Sequence, residues 1–236
     1  LTGGAEADTF RFEDAFGTDT ITDFEDGIDL IDLQNITLVG GFGGLTITQN
    51  GSDARVDTGQ GVIVLQGVDA ADLSEADFIF PNNIEGTDAG ETLDGTSDDD
   101  VILGLGGNDT LNGGGGRDLL DGGAGNDVIR GDGSADTLIG GLGEDVLEPG
   151  RGASDLLTGG AEADTFRFED AFGTDTITDF EDGIDLIDLQ NITLVGGFGG
   201  LTITQNGSDA RVDTGQGVIV LQGIATADLS DLDFIF

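Results

Sequence analysis

The chain has 236 residues, 48 acidic against 7 basic, a formal net charge of −41, and no His, Cys, Met, Trp or Tyr. With no basic patch to release counterions from phosphate, nucleic acid is excluded as a partner; an anionic bilayer surface would repel the chain, and zinc lacks its usual ligands. The sequence is 37% hydrophobic, enough to bury a core, and the natural counterpart to so many carboxylates is a hard cation, Ca²⁺ or Mg²⁺.

Without cysteine there is no disulfide framework. No apolar run is long enough to cross a bilayer, so membrane insertion is not expected. The chain opens at Leu1 in mid-pattern, which reads as a fragment whose upstream part is missing.

In chain order, residues 1–80 form a first block. Thr9–Phe12, Asp19–Phe24 and Ile28–Leu33 alternate like half-buried strands. Leu45–Gln49, Ala54–Asp57 and Val62–Leu65 follow, parted by NGSD and TGQG turns, and read as a meander. Asp72–Ala76 reads as one helical turn before Phe78-Ile79-Phe80. Residues 81–85 read as a linker that opens on Pro81-Asn82-Asn83.

A nine-residue period then runs from residue 86 to 167. The sixth place holds Glu91, Asp100, Asp109, Asp118, Asp127, Asp136, Asp145, Asp155 and Asp164. The eighth holds Leu93, Ile102, Leu111, Leu120, Ile129, Leu138, Leu147, Leu157 and Phe166, with Pro149 as one inserted residue. Periodicity this strict predicts a solenoid. Each repeat divides into a six-residue Gly-rich turn and a three-residue strand whose central apolar residue faces inward. A flexible acidic linker would have no reason to keep an apolar residue at every ninth position.

The chain closes on a duplication. Residues 157–236 repeat 1–80 at an offset of 156, and only Val68/Ile224, Asp69/Ala225, Ala70/Thr226, Glu75/Asp231 and Ala76/Leu232 differ. The first block keeps a single repeat, Gly3–Arg11, so it should expose an unpaired roll end.

The nonapeptide resembles the RTX (repeats-in-toxin, haemolysin-type) calcium-binding repeat GGxGxDxUx. The departures are Leu105, Asp132, Ser134, Ala153 and Glu162 where Gly is expected, and Glu91 for Asp. The resemblance implies an all-β fold, a parallel β-roll (a β-solenoid) over 86–167 with two nonapeptides per coil, flanked by capping blocks at 1–80 and 168–236. Coil would stack on coil at about 4.8 Å. Asp109, Asp127 and Asp145 would line one edge, and Asp100, Asp118 and Asp136 the other.

The metal ligands expected on this reading are Asp100, Asp109, Asp118, Asp127, Asp136, Asp145, Asp155 and Asp164, with backbone oxygens at Gly104, Gly106, Gly113, Gly115, Gly122, Gly125, Gly131, Gly133, Gly140 and Gly143. Glu91 and Asp8 belong to the fringe of the array. Two carboxylates about 5 Å apart repel by roughly 3 kcal/mol at an effective dielectric near 20. Several such pairs exceed what one apolar residue per repeat offsets, about 1.5–3 kcal/mol each. The array should therefore be unfolded without several bound Ca²⁺ ions and folded with them.

The segment DTITDFEDGIDLIDL, at 19–33 and 175–189, resembles the C-terminal region of serralysin-type proteases and related RTX proteins, where it caps the roll. Asp233-Phe234-Ile235-Phe236 is similar to the acidic-then-apolar ending of type I secreted proteins. Asp23, Asp26, Asp29, Asp179, Asp182 and Asp185 stand either as an additional cation site or as a solvated strand edge.

The resemblance implies a calcium-folded module of an extracellular bacterial protein, with calcium and the type I secretion machinery as partners, supporting secretion and stability of an upstream passenger. An alternative is a calcium-dependent carbohydrate-binding or adhesin module, with polysaccharide as partner. No catalytic residue is expected. Without His, Cys or Lys, only a carboxylate pair would be available for catalysis, and the repeat accounts for every candidate. Any enzyme would lie in the missing upstream part.

Overall fold

Alternation of apolar and polar residues, with Gly at the corners, gives this chain strands joined by turns, with only single short helical turns among the described residues. A computed structural model describes residues 1–13, 15–36, 41–193 and 196–236. It divides into two units, Leu1–Asn83 and Ile84–Phe236.

In the larger unit the nonapeptides wind into a parallel β-roll. Along one side run Thr92–Asp94, Thr110–Asn112, Val128–Arg130 and Val146–Glu148, each three residues long. Along the other run Asp100–Leu103, Leu119–Ala124, Thr137–Leu142 and Leu156–Ala161. Pairing is parallel and one coil apart: Leu111 lies opposite Ile129, and Leu120 opposite Leu138. Three strands of the second side run six residues instead of the expected three, because their DGGA, IGGL and TGGA corners stay extended into the turn. Between the two sides the eighth-place residues stack into a single column. Ile102, Leu111, Leu120, Ile129, Leu138, Leu147, Leu157 and Phe166 are fully buried, each supporting the next.

Two readings of the sequence change. Residues 81–85 are not a plain linker: Asn82–Glu85 is a strand that starts the second sheet, and Ile84 packs on the core. Pro149 is not the inserted residue. Gly133 bridges Arg151 as third place to third place, so Pro149 takes the first place and Gly150 the second. The extra residue lies further on, within Gly152–Ser154.

The roll's two sheets continue without a break into the second copy of the block. Thr165–Glu169, Leu186–Asn191 and Phe234–Ile235 extend the first sheet, all parallel. Gly173–Ile177 and Gly217–Leu221 extend the second, followed by the antiparallel pair Asp209–Asp213 and Thr202–Asn206. Phe168, Phe172 and Phe180 close the apolar column.

The smaller unit has the same two kinds of sheet. One contains Thr9–Glu13, Leu30–Asn35 and Phe78–Ile79; the other contains Gly17–Ile21, Gly61–Leu65, Asp53–Asp57 and Thr46–Asn50. Within this unit Thr9–Glu13 and Gly17–Ile21 are edge strands. The helical turn expected at 72–76 falls at Glu75–Asp77, where Ser74 and Asp77 form a capping box.

Candidate metal centre

Each sixth-place Asp sits where the Gly-rich turn enters the strand, so the turn geometry aims its carboxylate back under the corner. One oxygen, Oδ1, accepts the backbone N–H of the corresponding residue one coil earlier. On one edge these bonds run Asp100 to Asp118, Asp118 to Asp136 and Asp136 to Asp155 at 2.8–2.9 Å. On the other they run Glu91 to Asp109, Asp109 to Asp127, Asp127 to Asp145 and Asp145 to Asp164 at 2.7–2.9 Å.

The second oxygen has no such partner. Oδ2 of Asp109, Asp118, Asp127, Asp136, Asp145, Asp155, Asp164 and Asp175 is buried and accepts no hydrogen bond. All eight residues are at most 3% exposed. A buried carboxylate oxygen without a donor is costly, and here the cost recurs at every rung.

The orphan oxygens of Asp109, Asp118, Asp127, Asp136 and Asp145 each face the first-place glycine of their own repeat and the first-place carbonyl of the next coil. A Cβ on Gly104 would lie 2.5 Å from the Gly122 carbonyl oxygen and 2.7 Å from Asp109 Oδ2. On Gly131 it would lie 2.6 Å from Asp136 Oδ2 and 2.7 Å from the Pro149 carbonyl oxygen. Gly113, Gly122 and Gly140 face their own Asp and the next carbonyl in the same way. Gly125 and Gly143, at the fourth place, have positive φ and lie against the backbone of the preceding coil; Gly106, Gly115 and Gly133 hold the third place and have no close neighbour.

Glycine is thus required here by crowding as well as by turn geometry. The cradle it leaves joins a carboxylate to a carbonyl, the hard-oxygen chemistry calcium takes. Among the described residues no three carboxylates gather about one point, so carbonyls and water must supply much of the coordination. The donor set fits calcium.

Electrostatics point the same way. Burial pushes the carboxyl of Asp145 up to about 6, those of Asp118 and Asp164 to about 7, and that of Asp136 to about 9. The N–H bond from the preceding rung opposes the rise and neighbouring carboxylates add to it. Burial raises Asp127 as well. Without a cation, several rungs hold protons near neutral pH.

The remaining expected ligands are placed differently. Asp100 Oδ2 accepts the Thr96 N–H and hydroxyl, and Glu91 Oε2 accepts the Thr87 N–H, so the first two rungs are closed by protein donors. Asp23 takes the N–H groups of Gly3 and Gly4, and Asp179 those of Gly159 and Gly160. Asp29 takes those of Asp8 and Glu25, and Asp185 those of Asp164 and Glu181. These four are joints between coils, neither gathered cation ligands nor a solvated edge. Asp26 and Asp182 are exposed beside the carboxyls of Asp77 and Asp233. Asp8 is half-buried in the smaller unit.

Sequence reading missed Asp175. It stands outside the nonapeptides, and only the continuing chain of rungs, now 20 residues apart instead of 18, identifies it.

The outer face of the roll carries a different ladder. Arg130 pairs with Glu148, Glu148 with Arg167 and Arg167 with Asp188, at 2.7–2.9 Å. Arg130, Glu148 and Arg167, with Asp132, Glu169 and Asn191, line a groove of roughly 150 Å³. Such half-exposed pairs add little stability, but they cancel the positive charge of the groove.

Residues 85–120 and 113–147 match the family model described as RTX calcium-binding nonapeptide repeat (4 copies). No curated protein matches the chain. Among solved structures, the AlgE6R3 subunit of the Azotobacter vinelandii mannuronan C5-epimerase is 28% identical, over 64% of this chain and 80% of that one, with a TM-score of 0.34. The AlgE6R2 subunit is 25% identical, over 66% and 92%, at 0.31. The extracellular lipase LipA from Serratia marcescens is 20% identical, over 100% of this chain and 38% of that one, at 0.32. Residues 85–147, the greater part of the roll, thus match the RTX calcium-binding nonapeptide repeat.

Proposed function

From this premise, we propose that the chain is a calcium-operated folding module of a secreted bacterial protein. It stays unfolded where calcium is scarce, passes outward through a type I channel, and folds on calcium outside the cell, stabilising a passenger in the same polypeptide. The observation that carries the reading is the row of eight buried, partnerless Asp oxygens. A roll built this way calls for positive charge at each cradle, and calcium supplies that charge when bound. The chain's own part is to stack the carboxylates under glycine corners, expose carbonyls to the same cradles, and exclude competing donors.

The C-terminus supports the export half of the proposal. Phe234–Ile235 pairs with Leu186–Asn191, and Asp233 is buried in a capping box with Ser230. A tail that is part of the folded cap is free to be recognised only before folding.

The binding-module alternative has less behind it. The groove's Arg130 and Arg167 already hold Glu148 and Asp188, leaving no free cationic surface there for a polyanionic sugar.

The test is export of a reporter fused ahead of residue 1, in a bacterium with a type I exporter. Reporter should reach the medium, and deleting residues 225–236 should retain it in the cell. Equal export with and without that tail would overturn the secretion reading.

A further inference from the structure

The Asp ladder does not stop where the nonapeptides stop. Asp155 donates its N–H to Asp175 Oδ1 at 3.0 Å, as every earlier rung does to the next. Asp175 belongs to Gly173–Ile177, the first strand that the capping block adds to the second sheet. It is completely buried, and its Oδ2 accepts no hydrogen bond. Asp155 is 3% exposed and leaves its own Oδ2 equally bare.

The other buried carboxylates of this cap show what a structural role looks like. Asp185 accepts two backbone N–H groups, Asp188 takes Arg167 and the Gln190 N–H, and Asp233 takes Ser230 and Gly183. Asp175 alone among these is left with an orphan oxygen.

Resting on the calcium reading above, we propose that Asp155 and Asp175 hold a calcium ion at the junction of roll and cap, outside the repeat motif, and that this ion fastens the cap to the last coil. The two carboxyl groups lie within hydrogen-bonding reach of each other. Two apposed, buried carboxyls need either a shared proton or a cation between them. Two carboxylates from adjacent strands give a hard cation a strong start, with carbonyls and water completing its shell.

The first block holds an internal control. Asp19 occupies the position of Asp175 in that copy, but it is half-buried and its oxygens are not among the buried orphans.

The experiment counts calcium bound per chain, by equilibrium dialysis with elemental analysis, on the full 236-residue protein. Asp175→Asn should bind one ion fewer than wild type, and Asp19→Asn the wild-type number. An unchanged count in Asp175→Asn overturns the junction site and leaves the calcium reading standing. A wild-type protein that binds no calcium overturns the calcium reading itself. Should Asp175→Asn fail to fold, a crystal of the wild type grown in calcium decides. An ion touching both Asp155 and Asp175 supports the site; ions in the nonapeptide cradles with none here overturn it.

Discussion

The two 80-residue blocks differ at five positions, yet they do not bury the same residues. Leu157 is fully buried, while Leu1, its counterpart, is 55% exposed. Asp164 and Asp175 are buried with orphan oxygens; Asp8 and Asp19 are half-buried. The internal joints are conserved between the copies: Asp8 to Asp29 matches Asp164 to Asp185, and Arg11 to Asp32 matches Arg167 to Asp188. The second block stacks on the roll, Thr165–Glu169 on Val146–Glu148 and Gly173–Ile177 on Leu156–Ala161. A calcium ladder is therefore a property of stacking, and one nonapeptide carries only half of each site.

The largest effect that should separate the blocks is pH in the absence of calcium. The ladder carboxyls of Asp118, Asp136, Asp145 and Asp164 lie at about 6 to 9 in the folded state, above the ordinary 3.8. Between those limits the folded state holds more protons than the unfolded one, so stability falls as pH rises. This contribution is fully present below 3.8 and lost through 6 to 9. Half-buried Asp53, Asp170 and Asp209, lowered by backbone N–H groups, act in the opposite sense but only below 3.8. In chelator, hydrogen exchange should therefore show the roll more protected at pH 5 than at pH 8, with the first block nearly unchanged. Equal protection of the roll at both values would count against the burial of these carboxylates.

A smaller contrast comes from one substitution made twice. Leu157→Ala empties part of the apolar column and should cost about 2–5 kcal/mol in calcium. Leu1→Ala should stay within roughly 0.5 kcal/mol. Denaturant unfolding of both variants measures the difference, and equal losses would mean that the column does not end as described.

The smallest effect sharpens the picture of the turns. Leu105, Asp132, Ser134 and Glu162 replace expected glycines and are held at φ of 70°, 68°, 80° and 81°. Restoring glycine at Ser134 or Leu105 should stabilise the calcium-bound roll by about 1 kcal/mol, relieving left-handed strain against some added chain entropy. A loss of stability on Ser134→Gly would show that the side chain contributes more than the strain removes.

These same positions mark what could be read in advance. The eighth-place column and the sixth-place ladders follow from period alone, because a fixed spacing on a stacked coil forces identical residues together. Asp155 and Asp164 stayed on the ladder although their rungs are 19 residues apart. Asp175 escaped because its rung is 20 residues from the last, with GTDTI where a Gly-rich corner would be. The place of Pro149 was misjudged because a proline looks like an interruption, while the coil needs only a carbonyl at that corner. The roles of Asp23, Asp29, Asp179 and Asp185 depend on which N–H groups the folded turns bring to them, and no spacing encodes that.

The most direct test of the central claim is a calcium titration of the full chain followed by far-ultraviolet circular dichroism at pH 7.5, with magnesium as control. The account predicts a cooperative coil-to-β transition with calcium that magnesium does not reproduce. A β spectrum already complete in chelator, and unchanged by calcium, would contradict it.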